Sequence, residues 1–131
     1  MNIALVASNN KKELMVQFCI AYCGILSKHT LCATATTGKL ISEATGLHVD
    51  CYLAGHQGGD QQIGARVSYD EIDMVIFLRD PAEMGNVDVD EMVRLCDERN
   101  VPIATNLATA EMLVLGLDRG DLDWRELVRK K

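Results

Sequence analysis

The chain has 131 residues, 48% of them hydrophobic and 24% charged, with a formal net charge of −6. That length supplies one core and one domain, 1–131, and excludes two. The acidic balance argues against general nucleic-acid binding, and apolar runs no longer than a strand argue against a membrane span. The opening residues Met1-Asn2-Ile3 carry neither a basic leader nor a long apolar region, so no signal peptide is read there and a cytoplasmic location is expected. There are five cysteines, without CxxC spacing. Cys19 and Cys23 fall four apart on one helical face; buried reduced thiols are expected there rather than a metal site.

Asn2 to Ala7 reads as a first strand, apolar without interruption, as suits a central parallel strand covered on both faces. Ser8-Asn9-Asn10 follows, a cluster of cap and turn formers. Lys11 to Leu26 has helical apolar spacing through Leu14, Met15, Phe18, Cys19, Tyr22, Ile25 and Leu26. Its lysines lie in the first turn, where the helix dipole disfavours cations. Thr30 to Thr34 is a second strand, and Thr34-Ala35-Thr36-Thr37-Gly38-Lys39 opens a helix through about Ala44. One cap needs one hydroxyl; three threonines within four residues lean toward an anion.

Val49 to Leu53 reads as a buried third strand, running into the stretch Ala54-Gly55-His56-Gln57-Gly58-Gly59-Asp60 and a helix over Gln61 to Ser68. Glycine lets a backbone turn sharply and approach a ligand closely. A carboxylate among amides at a helix N-terminus is odd for a phosphate cradle and points to an acid that reacts with what the amides hold. A plain turn with Asp60 as helix cap accounts for the same string. Ile72 to Leu78 is a fourth strand, ending in Arg79-Asp80-Pro81, where proline fixes the turn. Asp80 is then either a turn former or a site residue. Glu83 to Asp88 is a polar loop, Val89 to Arg99 a helix, Val101 to Thr105 a fifth strand, Asn106 to Leu115 a helix, and Leu117 to Lys131 an amphipathic tail.

Five strands alternating with helices predict an α/β single-domain three-layer sandwich around a five-stranded parallel sheet, flavodoxin-like, with right-handed crossovers. In such sheets a ligand sits at the carboxyl ends of the strands. Ser8 to Lys12, Thr34 to Thr37, Ala54 to Asp60, Arg79-Asp80 and Thr105-Asn106 all fall there. Together they describe one pocket with hydroxyls, amides and a lysine for a phosphate, and two acids beside it.

Ile3-Ala4-Leu5-Val6-Ala7, Ala33-Thr34-Ala35-Thr36-Thr37-Gly38, Leu53-Ala54-Gly55, Gly58-Gly59-Asp60-Gln61-Gln62-Ile63-Gly64-Ala65, Phe77 to Pro81 and Pro102 to Asn106 together resemble the methylglyoxal synthase family, in register over essentially the whole chain. The resemblance implies a methylglyoxal synthase-like fold and a lyase without metal or other cofactor. Its reaction converts dihydroxyacetone phosphate to methylglyoxal and inorganic phosphate. It implies Asp60 as the base, with Asp80 a second catalytic acid in a supporting role. It implies that Ser8, Lys12, Thr34, Ala35, Thr36, Thr37, Ala54, Gly55 and Gly59 contact substrate or phosphate. It also implies a homohexamer inhibited by free phosphate. Relatives on this fold serve as regulatory domains and generally lack the acid that Asp60 supplies.

The chain departs from the family pattern at three places. Ser8-Asn9 stands where the family usually has His-Asp, and a serine can donate one hydrogen bond but is neither cation nor acid near neutral pH. Ala54-Gly55 replaces Ser-Gly. The loop of proline, histidine and acids after the fourth strand is replaced by Glu83 to Asp88, with Asp88 a match for its last acid. His56 is an additional histidine that offers support from another loop. An active synthase with altered oxyanion support is expected; the alternative is a weak or inactive phosphate- or phosphometabolite-binding protein on the same scaffold.

Overall fold

A computed structural model describes residues 1–82 and 87–129, with His56, 87–89 and Arg129 described in their backbone alone. Five strands form one parallel sheet: β1 (Asn2–Ala7), β2 (Thr30–Ala33), β3 (Val49–Cys51), β4 (Met74–Leu78) and β5 (Ile103–Ala104). Seven helices accompany them among the described residues: α1 (Lys12–Ala21), α2 (Cys23–Leu26), α3 (Ala35–Thr45), α4 (Gly59–Ser68), α5 (Val87–Arg99), α6 (Leu107–Asp118) and α7 (Trp124–Arg129). The strand order is β3-β2-β1-β4-β5. The expected layered α/β architecture is present, with β1 central and the two winding directions meeting between β1 and β4. Flavodoxin-like sheets run 2-1-3-4-5 instead, so here the third strand lies at an edge.

Strand alternation builds two cores. Ile3 and Leu5 of β1, with Met74, Ile76 and Leu78 of β4, face Met15, Phe18, Ile41 and Val114 of α1, α3 and α6. Ala4 and Val6, with Val75 and Phe77, face Ile63, Val67, Met92 and Cys96 of α4 and α5. Both faces of the central strands are buried, which is why β1 and β4 are unbroken apolar runs. None of the five cysteines is in a disulfide; Cys19, Cys32 and Cys96 are buried, and burial pushes the Cys19 thiol up to about 12. No helix among the described residues is long and apolar enough to cross a membrane.

Several boundaries differ from the sequence pattern. The helix expected over Lys11 to Leu26 is a 3₁₀ turn at Asn9–Lys11, then α1 and α2, interrupted at Tyr22. The third strand stops at Cys51 with Asp50 and Cys51 exposed, because an edge strand pairs on one side only. The fourth helix starts at Gly59, ahead of Gln61, and α5 starts at Val87, so the Asp88 backbone is helical rather than looped. The rest of the expected Glu83 to Asp88 loop, 83–86, lies outside the described residues. The fifth strand shortens to Ile103–Ala104, while α6 continues to Asp118 before α7.

At the amino ends of the strands the chain is closed by one guanidinium. Arg125 of α7 is 4% exposed and Asp73, just before β4, is 1% exposed. Arg125 Nε donates to Asp73 Oδ1 at 3.3 Å, and Asp73 Oδ2 accepts the Asn2 backbone N–H at 2.7 Å. Its other nitrogens donate to Asp70 Oδ1 at 2.9 Å and to the Asn100 carbonyl at 2.7 Å. Asp70 and Asn100 are the two described non-glycine residues with positive φ, at 57° and 54°. A left-handed residue with a Cβ costs about 1–2 kcal/mol. Arg125 thus holds both strained turns that follow α4 and α5.

At the carboxyl ends, the turn from β3 into α4 is set by Gly58 and Gly59. Gly58 has φ 101°, which side chains disfavour, and it occupies the N-cap position of α4. Gly59 packs against the chain that it has just left. A Cβ there would lie 1.9 Å from the Leu53 carbonyl oxygen and 3.0 Å from that of Ala54. Gln62 secures the same crossing, its Oε1 accepting the Leu53 N–H at 2.9 Å.

Replacing Arg125 by Met leaves Asp73 buried without its cation, so stability is expected to fall by about 3–5 kcal/mol and Tm by roughly 10–20 °C; calorimetry checks this. Gly59→Ala forces the turn apart, with an expected loss of about 1–3 kcal/mol; a Tm unchanged from the parent chain would contradict the contact.

Candidate active site

Three strand-end turns on one side of β1 converge. Ser8 leaves β1 with its N–H donated to the Leu78 carbonyl at 2.9 Å, so the exits of β1 and β4 are locked together. Tyr52 N–H donates to the Ala33 carbonyl at 2.9 Å, which locks the exits of β2 and β3 in the same way. The helices α1, α3 and α4 then start beside one another.

Lys12 begins α1. Its ammonium donates to the Ala7 carbonyl at 3.1 Å and to Thr37 Oγ1 at 3.3 Å. Both acceptors are neutral and an ammonium has three N–H groups, so its charge is held in place without being paired by these two. Burial lowers its pKa from the usual lysine value, while the charge of Asp60 acts the other way. A lysine in the first turn of a helix, unfavourable for the dipole, is therefore tied to a buried threonine and felt by the site's carboxylate. Lys11 is half-buried beside it and makes no side-chain contact of this kind among those described.

Thr34 is the N-cap residue of α3 yet makes no side-chain capping bond, and it is buried, 4% exposed. Capping therefore does not explain it. Thr37 is 1% exposed and accepts from Lys12; Thr36 is exposed at the surface of the same turn. The first turn of α3 holds no acid. Its Thr36 and Thr37 N–H groups have no carbonyl four residues back within the helix. The Ala35 N–H faces the Leu53 carbonyl at 3.4 Å.

Asp60 lies in the first turn of α4, two residues past the Gly58 N-cap, so it is not the capping residue that a plain turn requires. Its carboxylate lies over Gly55: Oδ1 and Oδ2 are 3.4 and 3.6 Å from where a Gly55 Cβ would be. Ala54 accepts backbone bonds from Gln57 at 2.9 Å and Gly59 at 3.0 Å, closing a tight 3₁₀ turn, Gly55–Gln57. The His56 backbone is part of that turn; its side chain lies outside the described residues. A groove of about 550 Å³ between α4 and α5 also reaches Asp60. Gly64, Ala65, Ser68 and Met92 line it, away from Lys12 and the threonines.

Asp80 is fixed at the exit of β4. Its N–H donates to Ser8 Oγ at 3.1 Å, and its Oδ1 accepts the Ala82 N–H at 2.9 Å, the geometry of an aspartate turn. Its other oxygen accepts from Asn10 Nδ2 at 2.8 Å. The sequence pattern places Asn10 only in a turn-forming cluster and Gln62 only in the string that follows Gly58-Gly59. Asn106, grouped with the pocket by its place after β5, spends its side chain on capping α6, accepting the Thr109 N–H at 3.0 Å. The side chain of Asp88 lies outside the described residues.

The site thus brings together a carboxylate, a part-buried ammonium, buried hydroxyls and unspent helix N–H groups. It can hold an anion while a base acts on the carbon skeleton attached to it. Residues 15–105 match the model of the MGS-like domain. The chain is 64% identical to the methylglyoxal synthase of Caldicellulosiruptor saccharolyticus, covering 100% of this chain and 94% of that one. It is 54% identical to that of Thermoanaerobacter sp. strain X514, over 99% of this chain and 100% of the relative. The crystal structure of methylglyoxal synthase from Elizabethkingia anophelis NUHP1 superposes with a TM-score of 0.81 at 43% identity, over 86% of this chain and 76% of that chain. By sequence over its full length and by fold, the chain belongs to the methylglyoxal synthase family.

Proposed function

We propose that this chain converts dihydroxyacetone phosphate to methylglyoxal and inorganic phosphate, with Asp60 as the base. The observation that carries this reading is the placement of Asp60 over Gly55, within electrostatic reach of Lys12, at the mouth of a threonine-lined helix N-terminus. An anion bound at α3 and Lys12 then lies beside a carboxylate rather than in a cradle of donors alone.

The chemistry follows from those groups. Asp60 takes a proton from the carbon between the carbonyl and the hydroxyl, and the electron pair moves to form an enediolate. The C–O bond to phosphate on the far carbon then breaks, phosphate leaves with the electron pair, and the resulting enol tautomerises to methylglyoxal. Nothing is oxidised or reduced by the protein, and no cofactor enters the balance. Lys12, Thr34, Thr36 and Thr37, with the α3 N–H groups, bear the phosphate charge through expulsion. Gly55 and Gly59 keep the turn low enough for substrate to pass over it, with Ala35 and Ala54 contributing backbone only.

The enediolate oxygen needs a donor. Ser8 is the described candidate, because its oxygen already accepts the Asp80 N–H, leaving its proton for an outside acceptor. His56 is the second candidate. Asp80 orients these groups rather than attacking substrate. A homohexamer, inhibition by free phosphate and a cytoplasmic location complete the reading, all by analogy with the family.

Three results test it. Asp60→Asn is expected to lower kcat by about 10² to 10⁴-fold, in keeping with loss of a general base. Methylglyoxal formation by the parent protein, lost in this variant, supports the lyase. No formation by either, with phosphate still bound in calorimetry, would favour the binding-protein alternative. Lys12→Met is expected to raise KM by roughly tenfold or more, the effect of losing one charged hydrogen bond. Because burial lowers the Lys12 pKa from 10.5, its charge is lost as pH rises at a lower pH than an ordinary lysine's. The alkaline limb of kcat/KM is accordingly expected below pH 10.5, and Lys12→Arg should move it upward, since a guanidinium does not titrate there.

A further inference from the structure

We propose that Asn10 is a positioning residue for this reaction: its side-chain amide holds Asp80, and through the Asp80 turn the Ser8 hydroxyl, across the crevice between β1 and β4. The inference rests on the proposed roles of Asp80 and Ser8 and adds to them a residue that the sequence pattern did not single out.

The crevice is the place where a positioning group matters most. The sheet order puts the topological switch between β1 and β4, and ligands of open parallel sheets sit outside the strand ends at that point. The two lips are the Ser8–Lys12 turn and the Arg79–Ala82 turn. The strands beneath them are rigidly joined, Ala7 beside Leu78 in register and the Ser8 N–H on the Leu78 carbonyl at 2.9 Å. Beyond that rung the Arg79 N–H faces the Thr105 carbonyl instead, at 3.4 Å. Two contacts bring the lips back together: the Asp80 N–H on Ser8 Oγ at 3.1 Å and the Asn10 Nδ2 on Asp80 Oδ2 at 2.8 Å.

The second contact completes the first. The Asp80 carboxylate has one oxygen committed to its own turn through the Ala82 N–H at 2.9 Å. With only that bond the carboxylate is fixed to its own lip, and the lips are joined by the Asp80 N–H on Ser8 Oγ alone. Asn10 supplies the missing restraint from a 3₁₀ turn whose start is itself fixed, since the Lys11 N–H donates to the Ser8 carbonyl at 2.8 Å. Ser8, Asn10 and Asp80 then form a closed loop of restraints, and one lone pair of the Ser8 oxygen takes the Asp80 N–H, leaving its proton for an outside acceptor. An amide is suited to this task because it donates to a carboxylate while adding no charge beside a bound phosphate.

Asn10 is exposed, so its replacement should leave the fold intact. The test uses the full chain and a cycle of variants: Asn10→Ala, Asn10→Asp, Asp80→Asn, and Asn10→Ala combined with Asp80→Asn. Methylglyoxal formation from dihydroxyacetone phosphate gives kcat and KM, and calorimetry gives Tm. Asn10→Ala is expected to lower kcat by about tenfold, with KM changed by less than about threefold and Tm within about 2 °C, as loss of a hydrogen bond to a charged group would do. Asn10→Asp keeps the shape but replaces the donor by a carboxylate; it is expected to lose as much or more. The double variant is expected to be no slower than Asp80→Asn alone, since one residue acts through the other.

Two results overturn the proposal while leaving the role of Asp80 standing. One is a kcat for Asn10→Ala within twofold of the parent when Asp80→Asn is impaired. The other is losses that multiply in the double variant. If Asp80→Asn itself keeps the parent kcat, the supporting role of Asp80 fails as well, and Asn10 has nothing to position.

Discussion

The crossing of Gly59 over the carbonyls of Leu53 and Ala54 is the constraint on which the site depends. Two stretches of backbone pass at a distance that leaves no room for a methyl group. That approach starts α4 one short 3₁₀ turn after an edge strand and puts the first turn of the helix over Gly55. Asp60 is therefore positioned by backbone, with Gln62 tying the same helix back to the Leu53 N–H. A carboxylate carried on so short a tether moves little. A base fixed by rigid elements loses less entropy on reaching the reacting geometry.

Charge in the site is arranged around a single ammonium. Lys12 is held by neutral acceptors, so its field is directed toward Asp60 and toward whatever anion occupies the α3 turn. Burial weakens its hold on its proton, and the neighbouring carboxylate strengthens it. The charges of Lys12 and Asp60 are thus coupled. What stands after β1 is Ser8, a hydroxyl pinned by the Asp80 peptide. A donor fixed by the backbone needs no reorganisation when charge develops on an oxygen, which is the property that makes such groups effective.

Much of this was legible in the sequence because it rests on periodicity and chain punctuation. β1 and β4 are buried on both faces and so read as unbroken apolar runs; Asn2 to Ala7 has the same bounds in pattern and structure. The convergence of turns at the strand ends follows from parallel crossovers. What the pattern missed depends on order in the sheet rather than order in the chain. Val49 to Leu53 looks like a buried strand locally, but β3 is an edge and stops at Cys51. Thr34 looks like a cap by position but does not act as one. Asn10 and Asp80 are 70 residues apart in sequence, so their bond is visible only once β1 and β4 are neighbours. Asn106 falls at a strand end by sequence, and its Oδ1 caps α6, a bond that the pattern does not show.

The Arg125 clamp has a consequence for how this fold tolerates change. It gathers α7, the starts of β1 and β4 and the two left-handed turns after α4 and α5, all at the amino ends of the strands. The chemistry is at the other ends, a strand's length away. The two sets of residues share no side chain. A chain built so can exchange side chains at the strand tips while its foundation is untouched. Reactivity can drift in one half of the molecule without the other half recording it.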